Sequence, residues 1–105
     1  MSTVKVIVAR VGEAPVVEDM EDSLAAMQAI AGGYVEHVRL SATVGMYFDE
    51  EGRLKGKPLN RLVPDDHGNQ WDILGDLFLA SHDDEGGLCS LSDADTEKWL
   101  PLLSR

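Results

Sequence analysis

The chain has 105 residues, with 9 Lys+Arg against 19 Asp+Glu and a formal net charge of −10 with histidine neutral. Apolar residues make up 44% and charged residues 27%, a globular balance that argues for one domain over 1–105 and excludes collagen-like, disulfide-framework and large multi-domain classes. So acidic a chain is a poor non-specific binder of DNA, RNA or anionic lipid, and its apolar runs fall far short of the roughly 20 residues a spanning helix needs.

Thr3 to Val11 (TVKVIVARV) is dense in β-branched residues and predicts a strand, with Val4, Val6 and Val8 on one face and Lys5, Ile7 and Ala9 on the other. Ile7 and Ala9 give the second face apolar character as well, as a central strand requires. Gly12 to Pro15 is a turn, and Val16–Val17 a short return strand. From Asp19 to Ala31 the apolar positions Met20, Leu24, Met27, Ile30 and Ala31 follow helical spacing, with Asp19 or Asp22 as cap and Gly32-Gly33 as stop. Tyr34–Leu40 and Val44–Asp49 alternate as strands. If each buries its more apolar side, His37, Arg39 and Tyr47 share the opposite sheet face.

Glu50–Arg53 turns the chain and predicts a hairpin between 44–49 and the stretch from Leu54 onward. Within Leu54–Val63, Gly56 and Pro58 argue for an irregular extended segment. Pro64–Gln70 is a polar loop, Trp71–Ala80 a strand with a bulge at Gly75, and Ser81–Gly87 a second polar loop. Ser92 caps a last helix over Asp93–Leu100, which Pro101 breaks. The expected class is α+β: a small, mostly antiparallel sheet of four to five strands with two helices packed on one face. The edge strands of such a sheet offer a route to a homodimer.

The most unusual local feature is charge. Arg53 to Arg61 (RLKGKPLNR) holds four of the nine basic residues and no acid. Lys55, Lys57, Asn60 and Arg61, with backbone amides near Gly56, have the composition of an anion site. The same residues equally describe a lysine-guarded edge whose cations pair with the abundant acids. His37, Arg39 and Tyr47 form a second candidate ligand-binding group, able to meet a phosphate or carboxylate, with the polar face of a sheet as its plain alternative. His67, His82, Cys89 and the acids Asp83, Asp84 and Glu85 match no standard metal-ligand spacing. Nucleophile-elbow, metalloprotease and dinucleotide fingerprints are absent, so no catalytic residue, metal or cofactor is assigned. The single cysteine, Cys89, fits a reducing cytoplasm, and Met1 to Arg10 does not read as a signal peptide.

The runs AIAGGYVEHVRL (Ala29–Leu40), DEEGRLKGKPLNRL (Asp49–Leu62), WDILGD and SLSDADTEKWL (Ser90–Leu100) resemble, in this order, the domain of unknown function 3846. GGYVEHVRL and EEGRLKGKPLNR are the most recognisable parts. The resemblance implies a compact α+β domain carried by bacteriophages, plasmids and their bacterial hosts, acting in the host cytoplasm, and implies no activity or site residues. The leading functional expectation is a non-enzymatic accessory protein, an acidic module that binds a protein or other macromolecule of host or virus. The alternative is a binder of an anionic small molecule, a nucleotide or signalling metabolite, through the 53–61 segment. Direct nucleic-acid binding is disfavoured by the net charge.

Overall fold

The computed structural model describes residues 2–104. Strand β1 (Thr3–Ala9) pairs with β2 (Val16–Glu21), and helix α1 (Leu24–Ala31) follows; β3 (Val35–Arg39) and β4 (Val44–Asp49) form the next hairpin. The hairpin β5 (Leu59–Pro64) and β6 (Gln70–Leu74) precedes β7 (Leu77–His82), the two-residue strand β8 (Leu88–Cys89) and helix α2 (Asp93–Leu103). The main sheet has six strands in the order β2-β1-β7-β4-β3, with β8 pairing the end of β7, while β5 and β6 make a separate two-stranded sheet. Every pairing is antiparallel. The protein is therefore α+β with an antiparallel sheet, one strand larger than the upper end of the expected range.

The sheet separates two apolar layers. Val4, Val6 and Val8 lie with Met20, Tyr47, Phe78 and Ala80 beneath Ala26, Met27 and Ile30 of α1. Ile7 and Ala9, on the other side of β1, join Met46, Leu77, Leu79, Val63 and Ile73 beneath Trp99 and Leu103 of α2. The helices thus pack on opposite faces and not on one. The physical reason is visible in β1 and β7, which are apolar on both sides, and a sheet with two apolar faces needs a cover on each. One cover is α1; the other is α2 together with the β5–β6 hairpin.

Four local expectations are corrected. Residues 19–22 are not helical: β2 continues to Glu21 because Met20 alternates inward beside β1, and α1 starts only at Leu24, with the Ser23 hydroxyl accepting the Ala26 N–H. Strand β4 does not pair with the chain after Leu54; it lies between β3 and β7, and β5 pairs with β6. The run 71–80 is two strands in two sheets, broken where Gly75 takes φ 84°. Finally, α2 continues through Pro101 to Leu103, since burying Trp99 and Leu103 outweighs the one hydrogen bond proline forfeits near a helix end.

Candidate functional site

The basic segment does not converge on a pocket. Lys55 Nζ lies 2.9 Å, and Lys57 Nζ 2.8 Å, from the same Asp49 Oδ2, at the end of β4. Asp49 is buried at 3% exposure. Lys57 also donates to the Ala31 carbonyl at 3.0 Å and Lys55 to the Gly32 carbonyl at 3.3 Å, so both ammonium groups sit on the negative end of α1. Gly32 closes that helix at φ 82°, and a Cβ on Gly33 would fall 2.7 Å from Asp49 Oδ2, so the Gly-Gly pair both ends the helix and makes room for the ion cluster. Burial alone pushes the Asp49 carboxyl up; hydrogen bonds from Lys57, Lys55 and the Glu51 N–H outweigh it and hold the carboxyl at about 2.

Asn60 and Arg61 point to other targets. The Asn60 amide donates to the carbonyls of Ala9 (2.8 Å) and Gly75 (2.9 Å), and its oxygen accepts Arg61 Nε. The Arg61 guanidinium donates to the carbonyls of Leu103, Arg10 and Glu13, tying the end of α2 to the β1–β2 turn. Burial pushes its pKa down. Arg53 pairs with Asp72 at 2.7 Å. All four cations of the segment are thereby engaged within the fold.

The second group lies on the α1 side of the sheet. His37 and Tyr47 are direct cross-strand partners with rings stacked at 4.8 Å, and Tyr47 stacks in turn on Phe78 at 4.8 Å. Tyr47 is a core residue, and burial pushes its phenol up. His37 and Arg39 remain exposed on the edge strand β3. With Ala42, His82 and the loop Asp83–Gly86 they line an open cleft of about 590 Å3. His82, which the sequence offers among side chains of unmatched metal-ligand spacing, joins them: its ring is 5.9 Å from His37, and both its nitrogens are buried with no hydrogen-bond partner. Its only sequence signal is the two-residue step Phe78, Ala80, His82, which puts it on the same face as Tyr47. Burial lowers the pKa of His37, and His82 and Arg39 lower it further. Among the described residues no group of three or more His, Cys, Asp or Glu side chains is placed to hold a metal ion.

Gly45, opposite Arg39 in the register, provides the space over which the His37 ring lies: a methyl group there would fall 2.8 Å from His37 Cδ2. Gly45→Ala is expected to swing His37 off Tyr47 with a stability cost of about 1 kcal/mol or less, because an exposed edge-strand side chain has other rotamers. Loss of the Tyr47 ring-current shift on the His37 imidazole protons checks this; an unchanged shift contradicts it.

A family model described as "Domain of unknown function (DUF3846)" matches residues 4–104. The chain belongs to this family. Comparison with curated proteins found no match, and comparison with solved structures found none either. Within this DUF3846 domain, two of the segments that carry the family resemblance meet in space. GGYVEHVRL supplies Gly32 and Gly33, DEEGRLKGKPLNRL supplies Asp49, Lys55 and Lys57, and together they build the ion cluster at the end of α1.

Proposed function

We propose that this DUF3846 domain is a non-enzymatic accessory protein of phage or plasmid type, an anionic interaction module that takes a cationic macromolecular partner in a bacterial cytoplasm. The observation that supports the reading is the disposition of its cations. Among the described residues Lys5, Arg10, Arg53, Lys55, Lys57 and Lys98 are ion-paired within the fold, and Arg61 is held by carbonyls. The chain has 19 Asp and Glu against 9 Lys and Arg, and Asp19 and Glu21 on the edge strand β2, followed by Asp22, are exposed with no side-chain partner among the described residues. The field outside the molecule is correspondingly negative, which steers association with basic surfaces and excludes nucleic acid.

Capture from a bacterial lysate at low and high salt, with wild type beside Asp19→Asn/Glu21→Gln/Asp22→Asn, tests the reading. A discrete set of basic partners at low salt, lost at high salt and several-fold weaker with the variant, is expected. An empty capture, or one indifferent to both salt and variant, contradicts it. No helix among the described residues is long and apolar enough to cross a membrane.

A second reading, a binder of an anionic small molecule, is supported at a different place from the 53–61 segment. Arg39 is the one described cation with neither an ion pair nor a hydrogen-bonded acceptor, and it lines the cleft that holds His37 and His82.

A further inference from the structure

Three features of the β3–β7 cleft are left unexplained by the fold. Arg39 is exposed, and its guanidinium has no acceptor among the described residues, whereas every other described cation has one. The two ring nitrogens of His82 are withdrawn from solvent without a donor or acceptor opposite them, and native folds leave few such atoms unpaired. The loop side of the cleft is acidic. Asp83 Oδ1 is occupied by the N–H groups of Glu85 (2.9 Å) and Gly87 (2.7 Å), but the carboxylates of Asp84 and Glu85 are exposed and have no partner among the described residues. The β3 side is positive and the β7–β8 loop is negative, with two imidazoles between.

We propose that this cleft binds a small dipolar ligand, its oxyanion held by Arg39 and a His37 N–H, its amine or other N–H donor end directed to Asp84 and Glu85. The inference rests on the second reading above and narrows the ligand class. A polyanion meets two carboxylates in the cleft and the net negative charge of the whole protein. A simple cation meets Arg39. Only a molecule carrying both signs pairs each wall of the cleft. The His37 ring, stacked on Tyr47 and lying over Gly45, supplies an aromatic wall against which such a ligand packs.

Imidazole proton–carbon spectra test this directly, because the protein has three histidines and His67, in the turn between β5 and β6, lies outside the cleft. The probes are phosphoethanolamine, inorganic phosphate, ethanolamine and ATP at neutral pH. Phosphoethanolamine should move the His37 and His82 resonances and leave those of His67 in place, with an apparent affinity about tenfold above phosphate or ethanolamine alone, and ATP should not bind. Arg39→Gln, at an exposed and unpaired position, should abolish the response to phosphate-bearing probes, and Asp84→Asn/Glu85→Gln should reduce phosphoethanolamine to the level of phosphate. Equal binding of phosphate and phosphoethanolamine overturns the dipolar ligand while leaving an anion site. Stationary His37 and His82 signals with every probe, or an undiminished response in Arg39→Gln, overturn both.

Discussion

Asp49→Asn should lower the unfolding free energy by about 2 kcal/mol, and Asp49→Ala by about 3, measured as urea midpoints at neutral pH. The carboxylate is buried, accepts the Glu51 N–H at 2.9 Å, and is approached by two ammonium groups. Its removal leaves two cations with only carbonyl acceptors at the end of α1, and the alanine variant also strands the Glu51 N–H. Both lysines still reach water, with side chains 42% and 21% exposed, so the loss falls at or below the lower end of what breaking a buried pair costs.

The same cluster sets an acid limit. The folded carboxyl titrates at about 2 against an ordinary 3.8, so folding favours its ionised form. That contribution is complete above about pH 4, and about 2 kcal/mol is lost as pH falls from about 4 to about 2. Asp65 titrates in the same window. Slight burial raises it, and donors from Asn69, Trp71 and His67 outweigh that and hold it at about 2. Asp49→Asn should therefore flatten, but not abolish, the fall in stability between pH 4 and pH 2. An Asn variant that falls as steeply as wild type would remove Asp49 from this role.

Trp99→Ala should have the largest effect of any single substitution, about 3–5 kcal/mol, which for a domain of this size lowers the melting temperature by roughly 15 °C or more. Trp99 is 1% exposed and is the largest fully buried side chain, lying over the sheet with Leu103, Leu79 and Ile7. Its removal opens a cavity under α2 and loosens the end of the helix to which Arg61 is tied. Trp99→Phe should cost much less: it keeps an aromatic ring in the layer and deletes an indole N–H that has no acceptor. Thermal melts of the two variants separate lost packing from loss of the indole itself. Equal damage from both would show that packing volume is not what Trp99 contributes.

Strands β1, β3 and β4 are legible from the sequence to within a residue or two, whereas β7, as apolar on both faces as β1, is not separable there from β6. TVKVIVA reads as a strand because its β-branched density suits one, and its doubly apolar pattern implies covers on both sides. Helices on one face alone leave the other apolar side uncovered, and α1 and α2 lie on opposite sides. The strand–helix boundary within 16–31 is ambiguous in the sequence because Met20 fits both a helical stripe and a two-residue alternation, and only pairing with β1 decides between them. Gly75 reads as an irregularity, but a bulge and a break between sheets have the same local signature, a glycine inside an apolar run. The class and antiparallel pairing were legible; the placement of the β5–β6 hairpin was not, because its partner layer, α2, lies some thirty residues further along.

The candidate site divides similarly. The cationic island was readable from composition, whereas its counter-charge was not. Asp49 reads as the last residue of a strand, and nothing local marks it as buried; its burial depends on Gly32 and Gly33 arriving from α1. The shared face of His37, Arg39 and Tyr47 followed from strand alternation. The addition of His82 required β7 to pair beside β4, a contact between segments more than thirty residues apart.

The central claim is that the cations of residues 53–61 are engaged within the fold, two of them on the buried Asp49, and do not form an open cationic surface. The most direct measurement is a carbon-detected titration of the Asp49 carboxyl in wild type and in Lys57→Met. The account predicts a midpoint at about 2 that rises when Lys57 is replaced. A midpoint in the ordinary carboxylate range, unmoved by the lysine substitution, would place Lys55 and Lys57 free in solvent and return the segment to its alternative role as an open cationic surface.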